Sequence, residues 1–253
     1  MSAEQLEKTI TAYGLTANKD AINVTVTGTL NRSDDKILTL DIPDGIKVKW
    51  QASLTGNVYD ELIVKKGKGE LEILGGYIGN SKVNSLYNAI RVDEGNLTIF
   101  DGTISAEVGY GVKNNSAGTI KITGGKILIR GGSSSGIHNV SIGSVEISGG
   151  TIKAYYAVNN ASSGTVNIKG GILSAAASAV LNSSTGTVNI SGGTMTSSGG
   201  SKMTICGLSS NGTINISGGE ISANYDDDGT ADGTVVSSVG KINIFSPAKI
   251  TSK

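Results

Sequence analysis

Asp226, Asp228 and Asp232 surround Gly229 in the run NYDDDGTADGT, the densest concentration of metal-binding chemistry in the sequence. Oxygen donors this close together resemble a calcium loop, although the spacing is not that of a full EF-hand loop and no distal bidentate Glu follows. A solvated acidic turn has the same appearance. Catalytic chemistry is harder to assemble. Glycoside hydrolysis needs two carboxylates flanking the bond, and between Val108 and Gly219 the only carboxylate is Glu146. His138 is the sole histidine, and equivalent segments carry Lys113, Asn159 and Leu181, so it is expected to point outward without a role. A single Cys206 excludes an internal disulfide. No catalytic residue is assigned; calcium at residues 226–232 is the one cofactor considered.

Binding chemistry is better represented. Tyr110 and Tyr156 fall at equivalent positions two repeats apart, a separation of about 10 Å if each repeat advances one strand spacing. Two aromatic faces so placed suit alternate units of a sugar polymer, unless strand alternation turns both rings inward. Thr165, Thr187 and Thr213 form one polar column, with Asn167, Asn189 and Asn215 beside it. A regular polar face is what a polymer binder uses, and also what any solvated strand needs.

These residues owe their spacing to a repeat. GNLTIFDG from Gly95 is followed by GTIKITGG from Gly118, GSVEISGG from Gly143, GTVNIKGG from Gly164, GTVNISGG from Gly186, GTINISGG from Gly212 and a degenerate GKINIFSP from Gly240. The steps are 23, 25, 21, 22, 26 and 28 residues, the self-similarity of a solenoid. Within each copy an alternating strand precedes a glycine corner, a second strand follows, and a third segment closes the unit: GVKNN at Gly111, GIHNV at Gly136, AVNNA at Ala157, AVLNS at Ala179. Three short strands in about 22 residues make one turn of a parallel β-helix, right-handed as parallel crossovers are. The expected fold is all-β: a single-stranded right-handed parallel β-helix of eight to nine coils with a short N-terminal capping helix. Asn114, Asn139, Asn160 and Asn182 each lie four residues before the glycine that opens the next copy. Such a column can form a ladder of side-chain amides that satisfies turn carbonyls cut off from water.

Ser2 and Gln5 fit a capping box, and Ala3, Leu6, Ile10 and Tyr13 share a helical face. Residues 1–14 are therefore expected to cover the first coil, whose open strand edges would otherwise pair with other chains. Residues 15–253 form the solenoid, with irregular coils over 15–94, regular coils over 95–239 and a partial coil over 240–253. Thirty-seven glycines against two prolines suit punctuated strands rather than helices. Twenty-one basic and twenty-one acidic residues cancel, so no global field favours nucleic acid. No apolar run approaches the length of a membrane span.

Tandem GTVNISGGTI units with a following turn segment resemble the β-helical repeats of cell-surface proteins of clostridia and related bacteria, including calcium-dependent carbohydrate-binding β-helix proteins. The resemblance covers roughly residues 36 to 250. It implies an extracellular or cell-surface module, exported within a longer precursor, that recognises a polysaccharide or cell-wall polymer along a sheet face without catalysis. The acidic DDG turns that recur in those carbohydrate binders appear here only once, at Asp227 to Gly229. The main alternative is a stalk or filament subunit that self-associates through its solenoid ends; ice binding and polysaccharide lyase activity are lesser ones.

Overall fold

The computed structural model describes residues 1–83, 87–198, 205–223, 233–238 and 240–252. Helix α1, Ala3–Tyr13, starts at the capping box: Ser2 Oγ accepts from the Gln5 N–H at 3.2 Å, and Gln5 Oε1 accepts from the Ser2 N–H at 2.7 Å. These bonds satisfy two of the donors that a helix N-terminus leaves orphaned. Gly14 ends the helix in the left-handed region, φ 108°. Leu6 and Ile10 bury completely against the first coil. Arg32 holds the helix end, stacking its guanidinium 4.1 Å from the centre of the Tyr13 ring and donating to the Tyr13 carbonyl at 3.0 Å.

Strand β1, Thr16–Lys19, then pairs antiparallel with β2, Asn23–Thr27. It is the only antiparallel pairing among the described residues, and it occupies the outer edge of the first coil. Open strand edges template pairing with other chains, so helix and β1 together close the N-terminal end.

Beyond β2 the chain winds as a right-handed parallel solenoid of about eight turns. Each turn lays one strand on each of three faces. The first face includes Thr119–Ile122, Ser144–Ile147 and Thr165–Ile168. The second includes Lys126–Ile129 and the first half of Thr151–Asn160; the third includes Val112–Asn114, Ser135–Asn139 and the second half of Thr151–Asn160. Like stacks on like: Val145, Val166, Val188 and Ile214 are successive register partners on the first face, and all are buried. Each such side chain contributes about 1.5–3 kcal/mol on burial, and alternation sends the intervening residues outward.

Corners between the first and second faces are turned by glycine pairs. At Gly193 the backbone adopts φ 86°, a conformation that side-chain-bearing residues rarely take. Near the cap the core holds Trp50, fully buried, whose indole donates to the Ala52 carbonyl at 2.9 Å. At the opposite end, Lys241–Ile244 and Lys249–Ser252 pair on one side only among the described residues. Ile242 and Ile244 stand in register with the fully buried Ile214 and Ile216, yet are 36% and 56% exposed, and Phe245 beside them is 55% exposed.

Candidate functional site

The four asparagines of the closing segments stand in one buried column on the third face. Asn114 Nδ2 donates to Asn139 Oδ1 at 2.8 Å, Asn139 to Asn160 at 2.8 Å, and Asn160 to Asn182 at 2.9 Å. Three of the four also donate to a turn carbonyl. Asn139, Asn160 and Asn182 donate to the carbonyls of Gly143, Gly164 and Gly186 at 3.0, 2.9 and 2.7 Å. This column holds the turns.

Towards the cap the same column continues through Val92, Lys65 and Leu40. Val92 has no amide, and Lys65, one turn earlier, supplies the missing donor. Its ammonium is buried and donates to the carbonyls of Gly67 and, at 2.6 Å, Glu94. Burial pushes the Lys65 amine down to about 8, against the pull of Glu94, Asp41 and Glu70. Sequence alternation gave no sign of an inward lysine, because the pattern at this position elsewhere is amide or aliphatic.

A second asparagine ladder lies on the outside of the first face. Asn189 donates to Asn167 at 2.9 Å, Asn215 to Asn189 at 2.8 Å and Asn243 to Asn215 at 2.7 Å. Asn167, Asn189 and Asn215, considered above as ligand contacts, thus engage their amides with one another. Thr165, Thr187 and Thr213 line up half-buried in the adjacent column.

Tyr110 and Tyr156 do occupy one column, with Ser135 between them. They are not two open rings. Tyr110 stacks face to face on His138, centroids 4.3 Å apart and planes 17° from parallel, which covers one face of the ring. Tyr156 packs edge-on against Tyr155 at 4.7 Å. His138, expected to project without a role, is half-buried, and its Nδ1 is enclosed with no hydrogen-bond partner. Burial, with Lys113 nearby, pushes its imidazole down to about 4.

Asp226, Asp228, Asp232 and the Cys206 side chain lie outside the described residues. Among the described residues, no group of three or more His, Cys, Asp or Glu side chains is placed to hold a metal ion.

Two concave surfaces lie where the repeat motif did not indicate them. Where the second face turns towards the third, a trough of about 340 Å³ is lined by Arg130, Lys153, Tyr155, Ser174 and Ala176 from three successive turns. A second hollow of about 310 Å³ occupies the same corner nearer the cap, lined by Thr55, Asn57, Tyr77, Gly79, Ser105 and Glu107. The two meet at one ion pair, Arg130 Nη1 to Glu107 Oε1 at 3.0 Å, beside a backbone bond from the Gly131 N–H to the Glu107 carbonyl. Together they run parallel to the solenoid axis. The outward position of the second strand is small at Thr55, Gly79 and Ser105 in the hollow nearer the cap and at Ser174 in the other, with Leu128 and Lys153 in the two turns between. At Gly79 a Cβ would come within 2.2 Å of the Tyr77 ring, which lies across it, so a larger residue would displace the ring. Small outward residues beside a tyrosine are the signal that sequence reading could have used.

No family model matches the chain, and neither a curated protein nor a solved structure matches it.

Proposed function

We propose that this protein is a non-catalytic binding module, acting outside the cell or at its surface, that holds a polysaccharide chain along the trough between its second and third faces. The observation that carries the reading is that two hollows share one corner of the solenoid and adjoin at the Arg130–Glu107 pair, which offers a linear polymer contacts over several turns. Tyr77 and Tyr155, one in each section, offer aromatic surface for sugar rings, and hydroxyl and amide groups from Ser105, Ser174 and Asn57 line the remainder. Glu107 is the sole carboxylate in the lining of either section, whereas hydrolysis of a glycosidic bond takes two. The likeness of the GTVNISGGTI units to bacterial cell-surface repeats supports the extracellular setting.

Pull-down on a panel of insoluble polysaccharides and cell walls, with calcium and with chelator, tests this. Binding that falls with Tyr155→Ala and Tyr77→Ala supports the trough. Binding that ignores both but is lost in Thr187→Ala with Thr213→Ala would move the site to the first face, and no binding to any polymer would end the reading. Retention in chelator removes calcium from the account.

Exposure of Ile242, Ile244 and Phe245 at the C-terminal end supports a second reading, self-association of two copies through that end. The helix and β1 close the other end, so the copies would meet C-terminal end to C-terminal end. Light scattering that shows a concentration-dependent dimer, abolished by Ile244→Lys, would support it; a monomer at all concentrations would dismiss it.

A further inference from the structure

We propose that the trough selects an anionic glycan, one bearing uronate carboxylates or sulfate esters, and that the acidic groups lie beside Arg130 and Lys153. This rests on the polysaccharide reading above and adds the class of sugar.

The argument begins with how charge is distributed along the trough. The section towards the C-terminus is lined by two cations, Arg130 and Lys153, and by no carboxylate. The section towards the cap is lined by neutral groups and by Glu107. Arg130 and Lys153 come from successive turns, so along the axis their origins are separated by about 4.8 Å, one strand spacing. A chain lying in the trough meets a positive charge at each of two consecutive steps, with Tyr155 at the corner following Lys153.

Glu107 engages only one edge of Arg130. Arg130 presents five donors in a planar fork, and the pair uses Nη1. Its side chain remains 65% exposed. Glu107 thus orients the guanidinium and leaves donors for a carboxylate or sulfate, the anions that a planar fork suits best. Lys153 is exposed and makes no ion pair with a carboxylate among the described residues. The surrounding sequence reinforces the sign, because Glu146, the one carboxylate between Val108 and Gly219, stands on the first face in register with Lys121 and Asn167. Glu107 gives the trough a direction: acidic groups are attracted at the Arg130–Lys153 section and repelled beyond it.

Affinity electrophoresis and calorimetry with polygalacturonate, dextran sulfate, fully methyl-esterified pectin and dextran separate the possibilities. Wild type is expected to bind polygalacturonate, dextran sulfate or both in preference to the two neutral polymers, and to lose affinity as salt rises, since exposed charges are screened. The better of the two acidic polymers tells carboxylate from sulfate. Arg130→Gln and Lys153→Gln should each weaken acidic binding by about threefold to fivefold, the range of an exposed ion pair, while Lys169→Gln and Lys241→Gln, away from the trough, change nothing. Arg130→Lys keeps the charge without the fork and is expected to lie between. Equal binding of neutral and acidic polymers, with Tyr155→Ala harmful and both Gln variants silent, would overturn the charge inference and leave the polysaccharide reading standing. Failure of all four polymers to bind overturns both.

Discussion

Asn139 Nδ2 donates to Asn160 Oδ1 at 2.8 Å across one turn of the solenoid, and both side chains are fully buried. Asn160 in turn serves Gly164 and Asn182, so one amide holds contacts in three successive turns. Replacing Asn160 by Ala removes the bonds it donates to Asn182 Oδ1 and to the Gly164 carbonyl and should destabilise by about 2–5 kcal/mol. The outer ladder makes the comparison. Asn189 has similar amide bonds but is half-buried, with water at hand, and Asn189→Ala should cost less than about 1 kcal/mol. Denaturant midpoints of the two variants measure the difference; equal losses would show that the inner column has no special weight.

Gly186 is dictated by the same column. A Cβ at this position would meet Asn160 Nδ2 at 2.2 Å and the Gly164 carbonyl oxygen at 2.5 Å. Gly186→Ala should therefore lower the melting temperature sharply, as the short list of severe mechanisms includes overpacking. Gly75 has open space where a Cβ would stand, and Gly75→Ala should change stability by no more than about 0.5 kcal/mol. Thermal melts of both variants decide whether close approach sets the glycine requirement.

Lys65 predicts an unusual alkaline behaviour. Its folded value of about 8 lies below the ordinary 10.5. Between these values the unfolded chain holds a proton that the folded chain has released, so stability rises with pH across that window and the gain is lost as pH falls back through about 8. Urea midpoints of wild type and Lys65→Met, taken at about pH 7.5, below that window, and at about pH 9.5, inside it, should diverge in favour of wild type at the higher pH. Parallel curves would mean that the amine titrates normally.

His138 carries the acid counterpart. Its folded value of about 4 lies below the ordinary 6.5, so the unfolded chain takes up the proton first as pH falls. The contribution is complete above pH 6.5 and is lost progressively down to about pH 4. His138→Asn, which places the side chain of the register partner Asn159 at this position, should flatten the slope in that interval when melting temperature is followed against pH. The variant should also release the Tyr110 ring, read as a shift in tyrosine fluorescence.

The fold was legible because its signal is repeated: one register error would misplace every valine of the inner row at once. The capping helix was legible from Ser2, Gln5 and the spacing of Leu6 and Ile10, and the helix begins at Ala3 with Ser2 as its cap. The trough was not. Its lining comes from positions that differ in every turn, Gly79 in one, Ser105, Lys153 and Ser174 in others, so concavity arises from what is missing rather than from a motif. Lys65 and His138 escaped for a related reason. A polar residue in an alternating segment reads as outward, and its true environment is set by the neighbouring turns: Val92 above Lys65, and Tyr110 folded onto His138.

Because each copy opens on a glycine that meets the column beneath it in the same phase, the molecule is a ruler with interchangeable graduations. Excising residues 143–163 would bring Gly164 to the place of Gly143 and set Asn139 directly under Asn182, with every inward row still continuous. The shortened protein should fold and melt cooperatively, yet it would lack Lys153 and Tyr155. Length and recognition are therefore separable in this architecture: the first is counted in whole turns, the second written on a few of them.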